Sequence, residues 1–382
     1  MADRWTDSFL NTLREKGDAV ADDALRILLA DGEVASATKL FHEMQVNDDI
    51  HPADHFPEME NFFAHTEQLP RGIDFDRLQR AEDLFNRNVL LGALILLTKS
   101  LPEGYQAPNL SIILNISGLL RTKTFKRLLG TLELVLNVTR AKAFESGGKA
   151  VITAQKLRLL HAGVRYMTDK YRPEYRPMYG VPVNMEDLLG TTMGFSYLVI
   201  DGMRTLGAGW SADEEEDYLY LWKMYALMMG IHPVGDPTSE EYLPENVSEA
   251  EKIYAAYKAR HYVTADRNPE GVALARANLH MLREIVPRFF RLFGLGALPA
   301  VYMQKLMGDE ACARLGLAQH KHPVLSWLVE RIDGALKGLD AFGGNVHHHL
   351  AERLFQDLID VTMGGEVTFT IPTSISDMRT MA

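Results

Sequence analysis

The chain has 382 residues, of which 47% are hydrophobic, so it is long and apolar enough to bury a large core, and a disordered protein is excluded. Its formal net charge is −11 and no basic stripe offsets it, which argues against nucleic acid as a partner. The single cysteine, Cys312, excludes an internal disulfide and a cysteine-rich metal site.

The N-terminal segment carries charges throughout and lacks the apolar stretch of a secretory signal. The most apolar run, residues 89–97 (VLLGALILL), is much shorter than the ~20 residues that a membrane-spanning helix needs. This run is therefore predicted to be a buried helix. A protein with no transmembrane segment, located in the cytoplasm, is expected.

Helical periodicity dominates the chain, and an all-α fold is predicted, with a single strand-like pattern at 366–371 (EVTFTI). Residues 5–45 predict amphipathic helices, and residues 46–75 predict a polar loop with short helices. The expected organisation is an N-terminal extension at 1–75, a helical main domain at 76–300 and a C-terminal helical tail at 301–382 that packs on the core.

Two helix starts carry capping signals. Asn184 is a predicted N-cap for a helix that continues to Leu206, and Glu186 and Asp187 in its first turn suit the helix dipole. Ser211 and Glu214 form a predicted capping box at the start of a helix that ends near residue 229.

His161 is the best candidate for chemistry, because it lies in the apolar stripe of a helix predicted around residues 147–167. It shares one helical face with Ala150, Ala154, Leu157 and Val164. An imidazole that faces a core either hydrogen-bonds to a partner or binds a metal, and the residues alone leave both explanations open. No P-loop, dinucleotide fingerprint, zinc-protease motif or paired Glu-x-x-His motif accompanies it.

Four short motifs resemble one known family. They are, in chain order, SLPEGY at 100–105, RLLGT at 127–131, KLRLLHAGVR at 156–165 and GVPVNMEDLLGT at 180–191. Over about residues 80–300 the chain is similar to the MpaB-type oxygenases and the latex-clearing rubber oxygenases. The resemblance implies heme b, with its iron, on a globin-like multi-helix core with extra N- and C-terminal helices. It also implies a heme-dependent oxygenase that uses O2 to cleave a carbon–carbon double bond of a hydrophobic, isoprenoid-like substrate.

The resemblance assigns roles to residues around the heme. His161 would be the proximal ligand of the iron, and Arg127 and Thr131 would stand over the opposite heme face. Gly130 occupies the position where rubber oxygenases can carry a lysine that ligates the iron in a closed state. The resting iron is therefore expected to be five-coordinate or bound to water.

The other assignments have alternatives. Glu103 is the candidate base, or else it belongs to a helix terminus. Arg158 and Arg165 flank His161 and would bind the heme propionates, or else form salt bridges. Two further functions stay open: a heme protein without oxygenase turnover, such as a sensor, peroxidase-like or storage protein, and a helical binding module without a cofactor. The sequence does not determine the oligomeric state.

Overall fold

The computed structural model describes residues 4–49, 59–116, 124–286, 295–317, 323, 325, 327–331 and 371–374, with the backbone only at 124–129. In these ranges the secondary structure is helical and contains no strand, so the predicted all-α fold is confirmed. The predicted strand at 366–371 lies outside the described residues except for Ile371, which is in irregular backbone.

The N-terminal half of the helices consists of α1 Asp7–Arg14, α2 Ala19–Asp31, α3 Val34–Glu43, α4 Glu60–Thr66, α5 Phe75–Arg87, α6 Val89–Ile95, α7 Leu101–Gly104 and α8 Pro108–Leu114. The remaining helices are α9 Thr124–Thr139, α10 Ala150–Tyr171, α11 Tyr175–Tyr179, α12 Met185–Phe195, α13 Tyr197–Leu206, α14 Ala212–Met228, α15 Val247–His261, α16 Pro269–Ile285 and α17 Leu298–Arg314. A π-helical turn, Leu96–Ser100, joins α6 to α7, and short 3₁₀ turns lie at Asn47–Asp49, Ala265–Arg267 and Leu295–Ala297.

The helix that carries His161, α10, contacts α2, α4, α9, α11 and α14. The predicted N-terminal extension lies directly against it: Leu25 and Leu28 of α2 pack in one apolar cluster with Ile152 and Leu159 of α10. Burial of this shared face from water is the main force that fixes α2 on α10.

Helices α5 and α14 run antiparallel and form the most extensive helix pair. Phe85 stacks on Tyr218, with ring centroids 5.8 Å apart. Nearby, Arg77 and Arg80 each donate through Nε to one carboxylate oxygen of Asp217, at 2.7 and 2.6 Å. The predicted capping box opens α14 and is confirmed, since Ser211 and Glu214 bond reciprocally.

The predicted helix 185–206 is wrong in one respect. Its N-cap is confirmed, because the Asn184 side chain accepts from the Asp187 N–H at 2.8 Å, but the helix is broken at Ser196. Ser196 has φ −101° and ψ −81°, and its hydroxyl donates to the Thr192 carbonyl at 2.7 Å. A serine hydroxyl that bonds to the preceding turn competes with the hydrogen bonds of the helical backbone. No proline marks this break in the sequence.

The predicted buried helix at 89–97 is mostly buried, and the π-helical turn that follows it was not predicted. In the described part of the chain no single helix is long and apolar enough to cross a membrane. The helical segments Phe75–Arg87 and Val89–Gly104 meet the length and composition criteria only as a pair, bent by 80° between them.

Glu82 fixes the loop that leads into α10. Its carboxylate accepts from the backbone N–H groups of Lys142 at 2.8 Å and Ala143 at 3.1 Å. Burial raises the pKa of Glu82 to about 7, although the two N–H donors lower it, and the charges of Asp83 and Glu145 raise it further.

We expect Glu82 to make folding pH-dependent between pH 4.5 and about 7. Its pKa is higher in the folded than in the unfolded chain, so the folded protein binds the extra proton, and the resulting stability is lost as the pH rises through this window. As the pH rises from 4.5 to about 7, the free energy of unfolding of Glu82→Gln should increase by about 3 kcal/mol relative to that of wild type, because the variant has no carboxyl group to titrate. Urea unfolding at several pH values measures this, with the exposed neighbour Asp83→Asn as the control, which keeps Glu82 and should therefore follow the pH dependence of wild type closely.

A short C-terminal segment packs on the same helix as His161. Ile371 is buried among Leu159 and Ala162 of α10, and Pro372 lies over Gly163. A Cβ atom at position 163 would stand 2.6 Å from the Pro372 carbonyl oxygen, so only glycine allows this approach.

Gly163→Ala should therefore destabilise the protein by about 1–2 kcal/mol, since overpacking outweighs the gain in helix propensity. Gly194→Ala, on α12, is the matched control, because a Cβ atom there meets nothing within 4 Å. That control should be neutral or stabilising by up to about 1 kcal/mol. Equal midpoints of urea unfolding for the two variants would show that residues 371–374 do not hold this position in solution.

Candidate functional site

The imidazole of His161 lies in the middle of α10, on the face shared with Leu157 and Val164. Desolvation lowers its pKa to about 3, the positive charge of Arg165 lowers it further, and Asp18 partly opposes both. The ring is therefore uncharged at neutral pH and keeps a nitrogen lone pair that can bind a metal.

Part of the His161 side chain is not covered by protein atoms, although the ring is strongly desolvated. The ring is thus surrounded by protein without being completely covered by it. Among the described residues, no hydrogen-bond partner reaches either ring nitrogen. A neutral imidazole on an apolar helix face has the chemistry that a heme ligand needs.

Helix α9, which carries the residues predicted for the other heme face, packs against α10. Gly130 and Thr131 are both half-buried. Arg127 is helical and one turn before Thr131, and its side chain lies outside the described residues. The structure thus places the backbone of all three predicted residues on a helix next to that of His161.

Arg158 is buried, and each of its three guanidinium nitrogens donates a hydrogen bond to the protein. Its Nε and Nη2 donate to the two carboxylate oxygens of Asp18 at 2.7 and 2.9 Å, and its Nη1 donates to the Met228 carbonyl at 3.2 Å. Of the two alternatives for Arg158, the structure contains the salt bridge, and the propionate contact stays a prediction. The bridge is buried, since the side chains of Arg158 and Asp18 are 5% and 7% exposed.

Arg165 also has a carboxylate partner on α2. Its Nε donates to Asp22 at 2.7 Å and its Nη1 to the Val183 carbonyl at 3.4 Å. In the described part of the chain its Nη2 is buried without a partner. Among the described residues, Nη2 of Arg165 therefore has no hydrogen-bond acceptor.

Glu103 lies just after the π-helical turn and is buried. Lys99 Nζ donates to one of its carboxylate oxygens at 2.9 Å, and the Tyr254 hydroxyl donates to the other. Lys99 also pairs with Asp201 at 3.0 Å and donates to the Leu306 carbonyl. The predicted base is therefore a member of a buried ion-pair cluster, and both of its oxygens are already bonded.

Two sets of buried polar contacts near these helices were not predicted from the sequence. One is the Lys99 cluster; the other is Asp187, which accepts from Asn109 at 2.5 Å and from Tyr257 at 3.0 Å. Burial raises the pKa of Asp187 to about 6. Lys99 and Glu103 are four residues apart, a spacing typical of a helical ion pair, but their other partners and the partners Asn109 and Tyr257 of Asp187 come from distant parts of the chain.

A surface cleft of about 640 Å³ between α5 and α14 is separate from this site. Its lining is made of charged side chains, which include Arg77, Asp217 and Glu214, and contains no histidine. The part of the chain that the structure describes also has no cluster of three or more His, Cys, Asp or Glu side chains able to hold a metal ion. A heme bound through one histidine would not require such a cluster.

Comparison with known proteins identifies the family. Residues 86–330 match the family described as ER-bound oxygenase mpaB/B′/rubber oxygenase, catalytic domain. The rubber oxygenase of Streptomyces sp. (strain K30) is 25% identical to this chain over 321 residues, which are 82% of this chain and 73% of that protein.

The fold has a solved counterpart. The structure of latex clearing protein in the closed state aligns with a TM-score of 0.71 at 21% sequence identity, and the alignment covers 91% of this chain and 90% of that one. The similarity shows that the two chains share the fold.

Proposed function

The chain belongs to the family of the ER-bound oxygenase mpaB/B′ and rubber oxygenase catalytic domains, and we propose that it is a heme b-dependent oxygenase of a hydrophobic, unsaturated substrate. The observation that carries the proposal is the desolvated, uncharged imidazole of His161 on α10, to which no hydrogen-bond partner reaches from the described residues. When bound there, heme b supplies the iron at which O2 is activated. The protein supplies the ligand, the dry surroundings and the groups that orient the substrate.

The predicted distal residues act from α9. The Thr131 hydroxyl and the Arg127 guanidinium, one turn apart, are proposed to orient O2 and substrate by hydrogen bonding and charge. Gly130 has no side chain to reach the iron, so the resting protein should give the spectrum of five-coordinate or water-bound ferric heme.

The substrate class is inferred from the family and from the apolar side chains near α10. The relative from Streptomyces is a rubber oxygenase, and an isoprenoid-like chain has regularly spaced carbon–carbon double bonds. Partly buried apolar side chains near α10, among them Leu157, Leu160 and Ile113, are suited to such a chain. We propose oxidative cleavage of one double bond, with one oxygen atom of O2 in each of the two carbonyl products.

The bonded state of Glu103 favours a second candidate function. A base must have a free oxygen within hydrogen-bond reach of its proton, and both oxygens of Glu103 are held by Lys99 and Tyr254. A heme protein without oxygenase turnover needs no such base. The two candidates share His161 and differ in Glu103.

The absorption spectrum after reconstitution with hemin tests the heme assignment. We expect a Soret band in wild type that is lost or shifted in His161→Ala and is restored by free imidazole, which replaces the missing ligand. His232→Ala is the matched control, because His232 is also half-buried but already bonds the Pro233 carbonyl. A wild-type protein without a Soret band, or a His161→Ala spectrum equal to that of wild type, would contradict the assignment.

Turnover with labelled oxygen separates the two candidate functions. Wild type, incubated with squalene or short cis-polyisoprene under ¹⁸O2, should give carbonyl products that carry the label. If Glu103 is the base, Glu103→Gln should lower kcat by about 10²–10⁴-fold while its Soret band stays unchanged. Full activity in that variant would remove Glu103 from the mechanism, and a heme-loaded wild type without labelled products would favour the non-oxygenase candidate.

A further inference from the structure

Two carboxylates of α2 hold α10 on both sides of His161. Arg158 lies three residues before the histidine and Arg165 four residues after it, so the three side chains span two turns of α10. Asp18 and Asp22, one turn apart at the start of α2, bind these two arginines in the same order.

The first contact joins the ends of two other helices to α10. Asp18 is the N-cap of α2, where it accepts from the Ala21 N–H at 3.2 Å, and it also receives the two-pronged contact from Arg158. The same guanidinium donates to the Met228 carbonyl at the C-terminus of α14. A cation at a helix C-terminus and an anion at a helix N-terminus both interact favourably with the helix dipoles.

The second contact is partly open to solvent. Arg165 is buried, whereas the side chain of Asp22 is 42% exposed. Asp22 can therefore be changed without the loss of an internal packing group, which makes it the better of the two carboxylates for an experiment.

A ligand histidine usually has its second ring nitrogen bonded to a carboxylate or carbonyl, and this bond fixes the direction of the ring. Within the described residues His161 has no such bond. The placement of α10 then bears directly on the direction of the ring, and the ion pairs at positions 158 and 165 tie α10 to α2 on either side of it.

We propose that Asp18 and Asp22 are positioning residues for His161. Through Arg158 and Arg165 they fix the rotation and height of α10, and thereby the direction of the imidazole. Their negative charges also offset the two guanidinium charges on either side of the ring. This inference rests on the proposed role of His161 as a heme ligand.

The test uses Asp22→Asn in the full-length, hemin-reconstituted protein, with two measurements: the dissociation constant of hemin and the reduction potential of the heme. We expect the dissociation constant to rise about tenfold, the lower end of what the loss of such a supporting group costs. The potential should become more positive, because the charge of Arg165 is left without its counter-charge and disfavours the ferric state. Asp22→Glu should restore both values, since it keeps the carboxylate.

The matched control is Asp23→Asn, the same substitution at the next residue. Asp23 pairs with Arg26 on the surface of α2, where both side chains are more than half exposed. This control should change neither the hemin dissociation constant nor the potential. Asp18→Asn, compared below its melting temperature, should shift the potential in the same direction as Asp22→Asn.

The outcomes separate this inference from the proposed function. Wild type without a His161-dependent Soret band would overturn the heme assignment and the inference with it. If wild type binds hemin through His161 but Asp22→Asn and Asp23→Asn give the same potential and the same hemin affinity, the positioning role is wrong and the heme assignment stands. A lower melting temperature of Asp22→Asn without a change in potential would mean that Asp22 has a structural role only, which also overturns the inference.

Discussion

The buried ion pair between Arg158 and Asp18 constrains the whole N-terminal half of the molecule. Two charges removed from water lose several kcal/mol of hydration each, and only complete hydrogen bonding and close approach recover that loss. Asp18 meets this demand with two guanidinium donors and a backbone N–H group, and their combined effect outweighs burial and lowers its pKa below the usual value. Three helices therefore have to converge at one point, the start of α2, the middle of α10 and the end of α14.

This convergence determines what surrounds His161. His161 lies between Arg158 and Arg165 on α10, close to the contacts with α2 and α14, and α10 also packs against α9. No partner reaches the imidazole from the described residues, and burial favours the neutral ring, because a charged ring would be poorly solvated and would stand beside the positive charge of Arg165. The same environment that suppresses protonation keeps the lone pair available, which is the property an axial ligand needs.

The local parts of this architecture are readable in the sequence, because their causes are local. The capping box at Ser211, the N-cap at Asn184 and the helical face of His161 each follow from residues within one or two turns. The motif resemblance identified the family, which the comparison with known proteins then established. The break at Ser196 was not predicted from the sequence. Its cause is a side-chain hydrogen bond to Thr192, and most serines in helices do not break the helix in this way.

Ion pairs between residues that are far apart in the chain could not be predicted from the sequence. Asp18 and Arg158 are 140 positions apart, and neither has a sequence neighbour that predicts the other. Glu103 is only partly different, because one partner, Lys99, is four residues away and the other, Tyr254, is 151 positions away. An isolated acidic residue is equally compatible with a base, a cap or an ion pair, and only the fold selects among them.

The buried carboxylates of Asp18 and Glu103 differ in how easily the surrounding backbone could let them change partners. Asp18 contributes to the site through its rigidity, since every oxygen is bonded and any movement would break the junction of three helices. Glu103 is bonded just as completely, yet it follows a π-helical turn, and such turns often mark functional sites. If Glu103 acts as a base, it must exchange one of its present partners for the substrate. The π-helical turn is the element best suited to allow that exchange, because its hydrogen bonding already departs from that of the helices on either side.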